Sequence, residues 1–128
     1  MKLLLDTHLL LWAASDPKRI PKSARALIED PENEVLFSAA SLWEIAIKRS
    51  LGQQNFRVDP RLLRRSLLDN GYGELAITSE HVVYVDQLPA RHKDPFDRVL
   101  VAQSIVEGIT LLTNDRTLVG YPGTIRKV

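Results

Sequence analysis

Asp94-Pro95-Phe96-Asp97-Arg98-Val99-Leu100-Val101-Ala102-Gln103-Ser104-Ile105-Val106-Glu107-Gly108-Ile109-Thr110-Leu111-Leu112-Thr113 holds a complete helix-to-strand unit. Asp94 can cap a helix N-terminus, and Pro95 suits the first helical position because an N–H there would have no intrahelical partner. Gly108 is the usual stop signal after such a helix. The apolar run from Ile109 to Thr113 is short, and its composition fits a strand buried on both faces.

The same punctuation recurs outward from this unit. Lys2 to Leu5 and Glu34 to Phe37 are short apolar runs that predict strands, Glu74 to Ile77 predicts a third, and Thr124 to Lys127 a short edge strand. Between them, helices are expected at His8 to Ala14, Pro21 to Glu29, Ser38 to Leu51 before Gly52, and Asp59-Pro60 to about Asn70 before Gly71. A further helix is expected from Ser79, read as its cap, toward Leu88. Strands that alternate with helices predict one α/β domain over residues 1–128, with a mainly parallel sheet of four to five strands.

The bulk properties narrow the chemistry. A chain of 128 residues fits one domain with a continuous core. It has no cysteine, which excludes disulfides, thiolate metal sites and cysteine nucleophiles and fits a reducing cytoplasm. No segment reaches the length of a membrane span, and Asp6 and His8 interrupt the apolar start, so a core strand is expected there rather than a secretory leader. The net charge of +1 exerts no global pull on nucleic acid. Local basic groups are present at Arg57, Arg61, Arg64 and Arg65, and at Arg91, His92 and Lys93. Arg61, Arg64 and Arg65 share a helical face, which could track phosphates or simply be solvated.

Four carboxylates fall where a site is expected. Asp6 ends the first strand, and Asp115 lies just past the fourth. Ligands of open parallel sheets bind outside those strand ends. Glu44 and Asp97 lie in helices that can start at the same crevice. Such a set suits magnesium or manganese, which prefer oxygen ligands, and a cation among them would let a phosphodiester approach. Each acid also has a plainer reading. Asp6 could cap a helix, Glu44 could pair with Lys48, Asp97 could complete the cap begun by Asp94, and Asp115 could serve a turn. His8 and His81 have no metal-ligand spacing and are expected to pack or to face solvent.

The segments Leu3-Leu4-Leu5-Asp6-Thr7-His8, Ser41-Leu42-Trp43-Glu44-Ile45-Ala46-Ile47-Lys48, Asp94-Pro95-Phe96-Asp97-Arg98 and Leu111-Leu112-Thr113-Asn114-Asp115 resemble PIN domains, most of all the VapC-type toxins of bacterial toxin–antitoxin pairs. The resemblance spans essentially the whole chain. It implies a three-layer α/β/α sandwich and a Mg2+- or Mn2+-dependent endoribonuclease, usually a homodimer, masked by a cognate antitoxin. By motif, Asp6, Glu44 and Asp97 match metal-site acids, Asp115 a looser fourth position, and Thr113 and Asp94 supporting residues. Two rivals are a receiver-like signalling domain and a non-catalytic PIN-like module. The first lacks a lysine after the fourth strand, and the second predicts lost acids where all four are present. A DNA substrate stays open, because carboxylate–metal chemistry does not discriminate the sugar.

Overall fold

The computed structural model describes residues 1–90 and 94–128. The basic group Arg91, His92 and Lys93 lies outside the described residues. Among those residues, β1 (Lys2–Leu5), β2 (Glu34–Ser38), β3 (Gly73–Leu75), β4 (Thr110–Thr113) and β5 (Ile125–Lys127) form one sheet in the order β3-β2-β1-β4-β5. All four neighbouring pairs are parallel. The helices are α1 (Thr7–Ser15), α2 (Lys22–Glu29), α3 (Ala39–Ser50), α4 (Pro60–Asp69), α5 (Ser79–Tyr84) and α6 (Pro95–Glu107).

Alternation along the strands divides the core in two. Leu3, Leu5, Val35, Phe37 and Leu112 face a cluster that includes Leu9 and Leu10 of α1, Ala24 of α2, and Leu63 and Leu67 of α4. Leu4, Leu36 and Leu111 point the other way, onto Leu100, Val101 and Ala102 of α6. Adjacent side chains of a strand face opposite sides, so continuously apolar strands are what a sheet covered on both faces requires. Each fully buried leucine contributes about 1.5–3 kcal/mol relative to exposure. The result is the expected α/β/α sandwich, with a wholly parallel sheet.

Strand order positions the site. The chain moves outward from β1 to β2 to β3 and then returns past β1 to place β4 on its other side. Connections of one hand must then cover opposite faces in the two halves. The crevice opens where the halves diverge, at the carboxyl ends of β1 and β4.

Local signals explain most boundaries. Asp59 and Asp94 cap α4 and α6 ahead of Pro60 and Pro95. Gly108 ends α6 in the left-handed region at φ 66°, which a side chain would strain. Two expectations are corrected. The third strand is Gly73–Leu75 rather than Glu74 to Ile77, because Leu75 pairs with Ser38, the last residue of β2. The α5 cap is Thr78 rather than Ser79: Thr78 Oγ1 accepts from the His81 N–H at 3.3 Å, while His81 Nδ1 accepts from the Thr78 N–H at 3.0 Å. None of the described helices is long and apolar enough to cross a membrane.

Candidate active site

Asp6 leaves β1 directly into the crevice and caps α1. Its Oδ1 accepts from the Leu9 N–H at 2.9 Å, and its Oδ2 accepts from Thr113 Oγ1 at 2.6 Å. Thr113 ends β4 beside it, and Thr113 Oγ1 in turn accepts from the Asp115 N–H at 2.9 Å. The capping carboxylate thus also ties β1 to the end of β4. An ionised carboxylate offers about four acceptor positions, so these two bonds leave capacity toward a cation. Burial raises the Asp6 pKa above its ordinary value, with the Thr113 and Leu9 hydrogen bonds opposing.

Glu44 lies one turn into α3 and is only 2% exposed. Its Oε2 accepts from Lys48 Nζ at 2.6 Å, the i,i+4 pair expected from sequence. Its Oε1 is buried without a hydrogen-bond partner among the described residues. An uncompensated buried carboxylate oxygen is costly, and a positive ligand would satisfy it.

Asp97 occupies the first turn of α6. Its pKa is pushed up to about 8, first by burial and then by the charges of Asp94, Glu44, Asp6 and Asp115. One helix, two strand ends and a second helix thus contribute acids that repel Asp97. Asp94 is chiefly a cap: its Oδ1 accepts from the N–H groups of Phe96 at 2.9 Å and Asp97 at 3.3 Å. Asp115 is exposed and caps a 3-10 turn at Arg116–Leu118, its Oδ1 accepting from the Thr117 N–H and Oγ1 at 2.9 and 2.8 Å. The turn reading holds for Asp115, while its charge still acts on Asp97.

The acids form a shared electrostatic site rather than a closed cage. Among the described residues, no three histidine or carboxylate side chains already stand in ligating geometry. Lys48 engages one of them, Glu44. The donor set itself is all oxygen, as hard divalent cations require.

Sequence reading missed the fasteners. Thr7 Oγ1 donates to Ser41 Oγ at 2.9 Å, joining the starts of α1 and α3. Ser38 Oγ donates to Gln103 Oε1 at 2.5 Å, joining the start of α3 to α6. Trp43 meets Phe96 edge to face at 4.9 Å, beside Glu44 and Asp97. Small polar residues at helix starts amid apolar sequence were the available signal. Arg98 anchors preceding backbone, donating to the carbonyls of Pro89 at 2.8 Å and Val85 at 3.1 Å. His81 is wholly buried, with Nε2 2.7 Å from Glu107 Oε2, and belongs to the packing, as expected. Arg64 pairs with Glu74 through bonds of 2.8 and 3.1 Å, so this member of the α4 basic group already has an ionic partner.

The PIN domain family matches residues 3–122. Ribonuclease VapC22 of Mycobacterium tuberculosis is 29% identical over 116 residues, covering 90% of this chain and 88% of the relative. The fold is also similar to that in a VapBC2 structure from Rickettsia felis bound to a promoter DNA fragment, with TM-score 0.75, 17% identity and coverage of 99% and 98%. A DNA-bound VapBC structure from Salmonella typhimurium gives TM-score 0.67, 17% identity and the same coverage of 99% and 98%.

Proposed function

Since the chain belongs to the PIN domain family, we propose that it is a metal-dependent endoribonuclease, the toxin of a toxin–antitoxin pair. The observation that carries the reading is the convergence of Asp6, Glu44, Asp97, Asp94 and Asp115 on one crevice, expressed in the raised pKa of Asp97. The ribonuclease activity named for the 29%-identical relative supports RNA as the substrate class. The VapBC composition of the structural neighbours supports a cognate antitoxin. A homodimer and a cytoplasmic location belong to the same reading.

By donor chemistry, all oxygen, the residues suit Mg2+ or Mn2+. Asp6, Asp97 and Glu44 would hold the ion, Glu44 through its unpartnered Oε1, with Asp115 at the rim. Such an ion supplies Lewis acidity and a water that is nucleophilic near neutral pH. The chain supplies placement. Thr113 fixes the Asp6 carboxylate by its 2.6 Å bond, and Asp94 fixes the first turn of α6 that carries Asp97. Lys48 offers a cation at the mouth of the site, where the scissile phosphate would lie.

The purified chain, incubated with matched single-stranded RNA and DNA oligonucleotides and Mg2+, is expected to cut RNA and leave DNA intact. Cleavage of DNA at an equal rate, or of neither, overturns the assignment. Thr113→Val is expected to slow RNA cleavage about 10- to 100-fold, as loss of a residue orienting a metal ligand does. Single-turnover rates check this, and an unchanged rate removes Thr113 from the site.

A further inference from the structure

A cleft of ≈ 430 Å³ opens between α1 and the 3-10 turn at Gln54–Phe56, with His8, two residues after Asp6, on its lining. His8, Trp12, Arg19, Gln54, Asn55 and Arg57 line it. The Arg19 guanidinium lies 4.7 Å from the Trp12 ring centroid. The His8 ring is 6.4 Å from Trp12 and 6.2 Å from Phe56. Lys48 Nζ lies 4.8 Å from the Phe56 ring centroid while holding Glu44. Pairwise contacts thus link Glu44, through Lys48 and the buried Phe56 ring, to His8 on the cleft lining.

We propose that this cleft seats one unpaired nucleobase next to the scissile phosphate. The base stacks on Trp12, under Arg19. Gln54 and Asn55 read its edge, since each amide offers both donors and acceptors. Arg57 holds the adjoining phosphate. The inference rests on the RNA-cleaving reading and adds to it a determinant of where the strand is cut.

Several features favour a nucleobase over plain surface packing. The cleft lies within the range of about 300–1,000 Å³ typical of ligand sites. Arg19 already covers the indole as a cation–π partner, so a base entering between them exchanges one stacked contact for two. Gln54, Asn55 and Arg57 are exposed and held on a short turn, available to a ligand. Asp16 also lines the cleft, a carboxylate to which a base amino group can donate.

The test uses a labelled single-stranded RNA octamer with the Asp97→Asn protein, so that binding is measured without cleavage. Adding Trp12→Ala is expected to weaken binding about 5- to 150-fold, the worth of one base–aromatic stack. Trp12→Phe is expected to retain most of the affinity. Arg57→Ala, at an exposed position, is expected to lower the salt dependence of binding by about one ion. On the active background, Gln54→Ala with Asn55→Ala is expected to change the base preferred at the cut site in a randomised RNA pool. RNA affinity unchanged in both the Trp12→Ala and Arg57→Ala proteins, or an unchanged base preference, overturns the subsite and leaves RNA cleavage by the wild type standing. Unchanged RNA affinity with loss of antitoxin binding overturns it too, and makes the cleft a protein-docking groove. No binding and no cleavage of RNA by any form overturns both proposals.

Discussion

The Asp97→Asn protein is expected to cleave single-stranded RNA at least about 10²–10³-fold more slowly than the wild type, the scale of losing one group that stabilises developing charge. Asparagine keeps the shape but cannot neutralise a cation. The fold should survive, because Asp94 caps α6 through the backbone N–H of residue 97 rather than through its side chain. Asp6→Asn is expected to lose as much activity and some stability as well. Its Oδ2 accepts from Thr113 Oγ1, which already accepts from the Asp115 N–H. An amide has one acceptor oxygen where the carboxylate uses two, so if it stays on Thr113 its NH2 meets the Leu9 N–H, donor against donor. Single-turnover cleavage with matched melting curves separates the two effects. Undiminished cleavage by the Asp97→Asn protein would remove this acid from the mechanism.

The sequence disclosed what short-range chemistry decides. Asp59-Pro60, Asp94-Pro95 and Gly108 act within one helical turn, and each boundary they predict is found. The continuous leucines of β1 and β4 reveal a sheet covered on both faces, because no other environment hides them. The length of β3 was not legible, since it depends on where β2 ends across the sheet. For Asp6, cap and site residue looked like alternatives; the cap is present, and the same carboxylate also accepts from Thr113 at the end of β4. The pairing of Thr113 with Asp6 spans 107 residues, and that of Ser38 with Gln103 spans 65, so neither has a local sequence signature. The approach of Arg19 to Trp12 likewise depends on how the chain folds back after α1.

Metal removal should expose the electrostatic strain of the acid site. EDTA is expected to abolish cleavage, with Mg2+ or Mn2+ restoring it; cleavage indifferent to EDTA would reject the metal mechanism. Stability follows from the Asp97 pKa, ordinarily 3.8 and raised to about 8 in the fold. Between those values the folded state holds a proton that the unfolded state has lost. Stability is governed by the excess of protons bound by the unfolded state, here negative, so it falls as pH rises from about 4 to about 8. Above that window both states are ionised, and the penalty is complete. In EDTA, the Asp97→Asn protein should therefore melt above the wild type, with a gap that widens from pH 5 to pH 8. Asp6 is raised by burial in both proteins and largely cancels in this comparison. A cation offsets the repulsion that raises Asp97, so Mg2+ at pH 8 should raise the wild-type melting temperature more than that of the variant. A gap that does not change with pH would show that Asp97 ionises without opposition from its neighbours, and a common metal site would lose its electrostatic basis. The same carboxylates that depress stability in EDTA are thus the ones whose exchange should halt cleavage, so the pH dependence of melting tests the site without any substrate.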